Sequence, residues 1–188
     1  CLDILYKTLM GLKTDGIDYR GVIYAGLMLT EDGPKVLEYN VRFGDPEAQC
    51  VLPRLTGDFA GALLACAEGR LESFVEGKGI GVRDEAAVTV VMTSQGYPGD
   101  YPKGLPIAGL ERFADGIGPG DVSPDVLVFQ AGTKLDHEGR LVTSGGRVLA
   151  VTALMPALDA ARSKAYEAVS QISFAGAYYR KDIGEVNA

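Results

Sequence analysis

Lys35-Val36-Leu37-Glu38-Tyr39-Asn40-Val41-Arg42-Phe43-Gly44-Asp45-Pro46-Glu47 sets both the fold and the chemistry of this chain. Its first residues read as a strand, and side chains on a strand alternate faces. Glu38, Asn40 and Arg42 are therefore expected on one face, with Leu37, Tyr39, Val41 and Phe43 on the other. Glu and Asn supply hard oxygen ligands suited to Mg²⁺, which takes one or two protein oxygens beside substrate phosphates. Arg supplies a planar fork for phosphate or carboxylate oxygens. A strand with one wet face also carries polar residues at alternate positions without any function. What favours function is the tight acidic turn Gly44-Asp45-Pro46-Glu47, because open α/β sheets place their ligands at strand ends and in the loops leaving them. Metal plus polyphosphate is the chemistry these positions suggest.

Upstream, Gly21 to Thr30 reads as a partner strand, joined by a hairpin loop at Glu31-Asp32-Gly33-Pro34. Asp-Gly between apolar runs tolerates the positive φ such a turn needs. Before it, Leu2, Leu5, Leu9 and Leu12 recur at intervals of three and four, the mark of an amphipathic helix. With Cys1 in place of an initiator Met, the chain is expected to begin inside a folded element, as a piece of something longer. Downstream, Asp58 is a candidate N-cap for a helix from Phe59 to Gly69, with Phe59, Leu63, Cys66 and Ala67 on its apolar face.

Around Glu76-Gly77-Lys78-Gly79-Ile80-Gly81 the composition turns Gly-rich, and a domain boundary is expected there, between 1–79 and 80–188. Gly77-x-Gly79-x-Gly81 is not followed by a helical pattern, so it is not read as a dinucleotide fingerprint. The second domain is predicted to hold strands over 86–93, 126–130, 141–143 and 147–152, and a closing helix from Met155 or Pro156 to Gln171. In Ser144-Gly145-Gly146-Arg147, successive backbone amides can form an anion-binding nest beside an arginine. Lys134 adds a second cation from a neighbouring strand end. A plain β-turn with solvated charges is the alternative.

Composition narrows the classes. With 47% apolar residues the chain can bury a sizeable core, which excludes wholesale disorder. Lys and Arg number 18 against 25 Asp and Glu, a net charge of −7. That balance argues against a nucleic-acid partner held by nonspecific phosphate contacts. Cys1, Cys50 and Cys66 form no CxxC pair and read as small hydrophobes of a reduced compartment. His137, in Asp136-His137-Glu138-Gly139, is expected in a solvated turn. No apolar run reaches the roughly 18 residues of a membrane helix, no signal-peptide pattern opens the chain, and a cytoplasmic location is expected.

Five strings resemble, in this order, the glycinamide ribonucleotide synthetases of the ATP-grasp superfamily. They are Tyr24-Ala25-Gly26-Leu27-Met28, Gly33-Pro34-Lys35-Val36-Leu37-Glu38-Tyr39-Asn40, Arg42-Phe43-Gly44-Asp45-Pro46-Glu47, Gly96-Tyr97-Pro98-Gly99-Asp100-Tyr101 and Ser144-Gly145-Gly146-Arg147-Val148-Leu149. The resemblance implies an α/β (α+β) fold. It comprises the C-terminal part of an ATP-grasp domain, an antiparallel sheet with helices, followed by a small β-rich domain with a closing helix. It implies a ligase of de novo purine biosynthesis that joins 5-phosphoribosylamine to glycine through glycyl phosphate, converting ATP to ADP and phosphate. By the resemblance Glu38 and Asn40 are ligands of Mg²⁺ or Mn²⁺, and Arg42 faces the phosphates. Asp45 and Glu47 lie near the amine-bearing substrates. Lys134, Gly145, Gly146 and Arg147 hold the ribose phosphate.

Two departures accompany it. Many ATP-grasp enzymes add an acidic metal ligand from the preceding strand, yet the position expected across the hairpin from Glu38 is about Gly26. The family's N-terminal half, with its amine-substrate domain, nucleotide lid and adenine-binding residues, lies outside this chain, which alone is expected to be inactive. Two other readings stay open. One is an ATP-grasp carboxylase or formyltransferase of the same pathway, against which Asp45-Pro46-Glu47 argues. The other is a non-catalytic C-terminal module that completes a partner segment.

Overall fold

A computed structural model describes residues 2–113 and 125–185; Cys1 lies outside the described residues. In chain order the elements are α1 (Leu2–Thr14), β1 (Tyr24–Thr30), β2 (Gly33–Asn40), α2 (Ala48–Val51), β3 (Leu55–Gly57), α3 (Phe59–Ala67), α4 (Leu71–Glu76) and β4 (Ile80–Val82). There follow β5 (Ala86–Thr93), β6 (Val126–Gln130), β7 (Thr133–Leu135), β8 (Leu141–Thr143), β9 (Arg147–Met155) and α5 (Leu158–Ser170). The chain divides into two units, one of Cys1–Ala48 with Leu55–Val82, the other of Gln49–Arg54 with Arg83–Ala188. Helices mix with antiparallel sheets, as expected, and the described strands close no barrel.

In the first unit β1 and β2 form an antiparallel hairpin. Its turn is tighter than the four-residue loop expected: Thr30 pairs with Gly33, and Gly33 alone takes the positive φ, +94°. A register shift between Gly26 and Leu27 pairs Gly26 with Glu38 and Leu27 with Val36, so Leu37 is the extra residue of a bulge. Helix α3 starts where its cap predicts, with the Gly61 amide donating to Asp58 Oδ1 at 2.8 Å. Helix α4 went unread in the sequence, although Leu71, Phe74 and Val75 carry helical spacing. Strands β3 and β4 pair across Thr56 and Gly81.

Few apolar side chains are covered in this unit. Helix α1 buries none of its residues, and Leu37 and Val41 are 64% and 68% exposed. The face of α3 named in the sequence is only half covered, with Leu63 exposed while Ala62 and Ala65 are the buried positions. A cavity of about 360 Å³ lies between Phe43, Phe59, Cys66, Val75 and Ile80.

The second unit has a core of its own. β9 is the central strand of an antiparallel sheet ordered β5-β9-β6. Val90, Val148 and Val151 of that sheet are fully buried. Helix α5 lays Ala161, Ala165, Ala168 and Val169 on it. Small residues at helical spacing let the helix axis approach the sheet closely. The strand β9 runs on to Met155, so the helix begins at Leu158 and Pro156 stands before it rather than in its first turn. The segment 49–54 is tied to the sheet by hydroxyls: Thr152 Oγ1 donates to the Gln49 carbonyl at 2.9 Å and lies 2.7 Å from Thr89 Oγ1. Cys50 and Cys66 are free thiols, both partly buried. No helix among the described residues is long and apolar enough to cross a membrane.

Candidate functional site

The first group of predicted residues sits at the end of β2. Glu38 and Asn40 share one face, and Asn40 Nδ2 donates to Glu38 Oε1 at 3.0 Å. Glu38 is exposed and Asn40 half-buried. Across the hairpin stands Gly26, as expected. A Cβ there would come within 3.2 Å of Glu38 Cγ, so the glycine leaves the glutamate side chain its room.

Arg42 lies beyond the paired part of this strand. The ladder stops at the Tyr24–Asn40 pair, and Val41 and Arg42 form a bend. On the partner strand the Val22 carbonyl accepts from the Tyr19 hydroxyl at 2.7 Å, and the strand expected from Gly21 begins at Tyr24. Arg42 is exposed, and its Nη1 donates to the Phe43 carbonyl at 3.2 Å.

The acidic turn follows. Phe43 packs on Phe59 of α3, ring centroids 5.8 Å apart, and the Ala48 amide closes the turn on the Gly44 carbonyl at 2.9 Å. Gly44 is buried, and a Cβ on it would overlap the Glu47 carboxylate. Only glycine lets Glu47 fold back over the chain here. Asp45 stands exposed on the same turn.

Among the described residues no three His, Cys, Asp or Glu side chains gather into a metal cluster. The Glu38 carboxylate and the Asn40 amide oxygen are two adjacent hard donors, which fits a Mg²⁺-type ion that completes its shell with water and phosphate oxygens.

The second group lies in the other unit. Lys134 is on β7, paired with Val142 and exposed. Arg147 opens β9 after the Ser144-Gly145-Gly146 turn. The amides of Ser144 and Gly145 do not form an outward nest. Both donate to the Gly132 carbonyl, at 2.7 and 3.2 Å, and Gly132 in turn donates its amide to the Arg147 carbonyl at 2.8 Å. The glycines act by closeness instead, since Gly145 is backed by Gly132 and a Cβ on Gly146 would overlap the Tyr97 ring. Tyr97 and Tyr101, 6.3 Å apart by ring centroids, belong to a string noted in the sequence without a role, and Lys103 Nζ stands over Tyr101 at 5.6 Å. Ser94, also unnoticed there, holds the same turn. His137 is exposed in its turn, as expected.

Two family models match the sequence. Residues 87–186, more than half of the chain, match the C domain of phosphoribosylglycinamide synthetase, and residues 2–48 match its ATP-grasp (A) domain. A trifunctional purine biosynthetic protein adenosine-3 from Gallus gallus is 51% identical over 96% of this chain and 17% of its own length. A phosphoribosylamine–glycine ligase from Caldanaerobacter subterraneus is 46% identical over 96% of this chain and 40% of its own. The crystal structure of phosphoribosylamine–glycine ligase from Thermotoga maritima superposes with a TM-score of 0.73 at 37% identity, covering 94% of this chain and 40% of that one. The chain thus spans less than half the length of these relatives.

Proposed function

The chain belongs to the phosphoribosylglycinamide synthetase family, and from that premise we propose that it supplies the metal-holding strand and the C-terminal substrate-binding domain of an ATP-dependent phosphoribosylamine–glycine ligase of purine biosynthesis. The observation that carries this reading is the pair of adjacent oxygen donors, Glu38 and Asn40, at an exposed strand end. The remaining nucleotide contacts come from the part of its relatives that this chain does not cover. The uncovered apolar residues of α1 and β2 support that division.

In the reaction, a carboxylate oxygen of glycine attacks the γ-phosphorus of ATP, the bond to the β–γ bridging oxygen breaks, and ADP leaves. The amine of phosphoribosylamine then attacks the carbonyl carbon of glycyl phosphate. Phosphate departs with the carbon–oxygen bonding pair, the nitrogen loses a proton, and glycinamide ribonucleotide remains. Glu38 and Asn40 hold Mg²⁺ or Mn²⁺, whose chemistry is to neutralise charge on the transferring phosphoryl oxygens. Arg42 contributes a permanent positive charge beside the phosphates. Asp45 and Glu47 orient the amine-bearing substrates. Lys134 and Arg147 grip the ribose phosphate by charge-assisted hydrogen bonds, while Gly145 and Gly146 let the backbone come close. A cytoplasmic location belongs to the same reading.

Substrate dependence tests it. The full-length protein carrying this chain should release ADP only when glycine and phosphoribosylamine are both present, in one-to-one yield with glycinamide ribonucleotide. ADP release supported by formate or bicarbonate in place of glycine would reject the assignment.

A further inference from the structure

The turn before Arg147 is fastened from below by one side chain. Ser94, 1% exposed, directly follows β5. Its Oγ donates to the Gly145 carbonyl at 2.9 Å and its amide to the Gly146 carbonyl at 2.8 Å. From the other side the Gly132 carbonyl takes the amides of Ser144 and Gly145. The Tyr97 ring lies against Gly146, and the Tyr97 amide donates to the Ser94 carbonyl at 3.2 Å. In addition, β5 and β9 slip register between Met92 and Thr93, so that Met92 pairs with Leu149 but Thr93 with Arg147. Val148 is the extra residue, and such a bulge re-aims the side chain beside it.

A plain β-turn needs none of this. Burying a hydroxyl costs free energy unless it is hydrogen-bonded, and Ser94 makes its bond to a carbonyl 51 residues away. We infer that Ser94 is a positioning residue: it fixes the Gly145-Gly146 peptides and so the direction in which the Arg147 side chain leaves the bulge. The inference rests on the reading of Arg147 as a phosphate grip.

Ser94→Ala removes the Oγ bond and leaves the amide bond and the volume nearly intact. In the full-length enzyme it should raise the KM for phosphoribosylamine about three- to tenfold, with KM for ATP and for glycine nearly unchanged. Because the serine acts through Arg147, the two changes should not add. In an Arg147→Ala background, Ser94→Ala should shift that KM by less than about twofold. Additive effects, an equal loss for all three substrates, or no change in Ser94→Ala alone would overturn the positioning role while leaving the Arg147 assignment standing. An Arg147→Ala enzyme with wild-type KM for phosphoribosylamine would overturn both.

Discussion

Asn40 Nδ2 donates to Glu38 Oε1 at 3.0 Å, two residues apart on one face of β2. That bond fixes which end of the amide faces outward. With the nitrogen committed to the carboxylate, the amide oxygen and the second carboxylate oxygen are the atoms left for a hard cation. Gly26 opposite adds no third ligand, only space. The arrangement suits an ion shared with a nucleotide rather than one caged by protein.

Gly44 is the backbone counterpart of that site. Because a Cβ there overlaps the Glu47 carboxylate, Gly44→Ala must displace Glu47 or the turn. If Glu47 orients substrate, kcat should fall at least about tenfold, ~1.4 kcal/mol of transition-state stabilisation. Steady-state kinetics beside a thermal melt would check this, with Tm moving little. A full loss of folding with no soluble protein would instead make Gly44 purely structural.

Arg147→Ala should raise KM for phosphoribosylamine and leave KM for ATP nearly unchanged. A hydrogen bond to a charged group contributes about 1.5–3 kcal/mol, roughly ten- to hundredfold in affinity. The check is initial-rate kinetics with each substrate varied in turn.

Thr152 carries a different kind of load, in the core rather than the site. It is fully buried and hydrogen-bonded to both the Gln49 carbonyl and the Thr89 hydroxyl. Thr152→Val keeps the shape and removes both bonds from half-buried partners, at a cost of about 1 kcal/mol. Urea unfolding should show a lower midpoint with an unchanged slope. Stability equal to wild type would mean that water replaces the lost partner.

Asp136 closes the turn between β7, which carries Lys134, and β8. The Arg140 amide first, then the Arg140 guanidinium and the Glu138 amide, hold its carboxyl below the ordinary carboxylate range. A group with a depressed folded-state value stabilises the fold above its ordinary value, and that stabilisation is lost as pH falls through the folded-state value. The amides of Glu138 and Arg140 should therefore keep their protection to lower pH than ordinary carboxylate titration predicts, and lose it as pH falls through that lowered value. In Asp136→Asn this acid step should vanish, as followed by amide hydrogen exchange.

Much of this was legible in the sequence because local signals agreed with the final packing. Strands β5, β6 and β8 lie where their apolar runs end, and Asp58 caps α3 as its side chain allows. Gly26 was placed opposite Glu38 by counting across the Asp32-Gly33 turn. Less legible was where pairing stops and which groups meet. Strand alternation does not say that the ladder ends at Asn40, before the bend at Val41 and Arg42. Nor does the Ser144-Gly145 turn announce that its two amides go to the Gly132 carbonyl. Ser94 was invisible because a serine after a strand carries no sign of the carbonyl it will meet.

Metal binding tests the central claim most directly. Mn²⁺ titrated into the full-length enzyme with ADP bound, followed by the fall in the free-ion paramagnetic signal, should show one ion bound tightly per nucleotide site. Glu38→Ala removes the only anionic donor of the Glu38–Asn40 pair and should weaken that binding by at least about a hundredfold, ~2.7 kcal/mol, while the protein still melts cooperatively. Mn²⁺ bound as tightly by Glu38→Ala as by wild type would contradict the assignment of this strand end as the metal site.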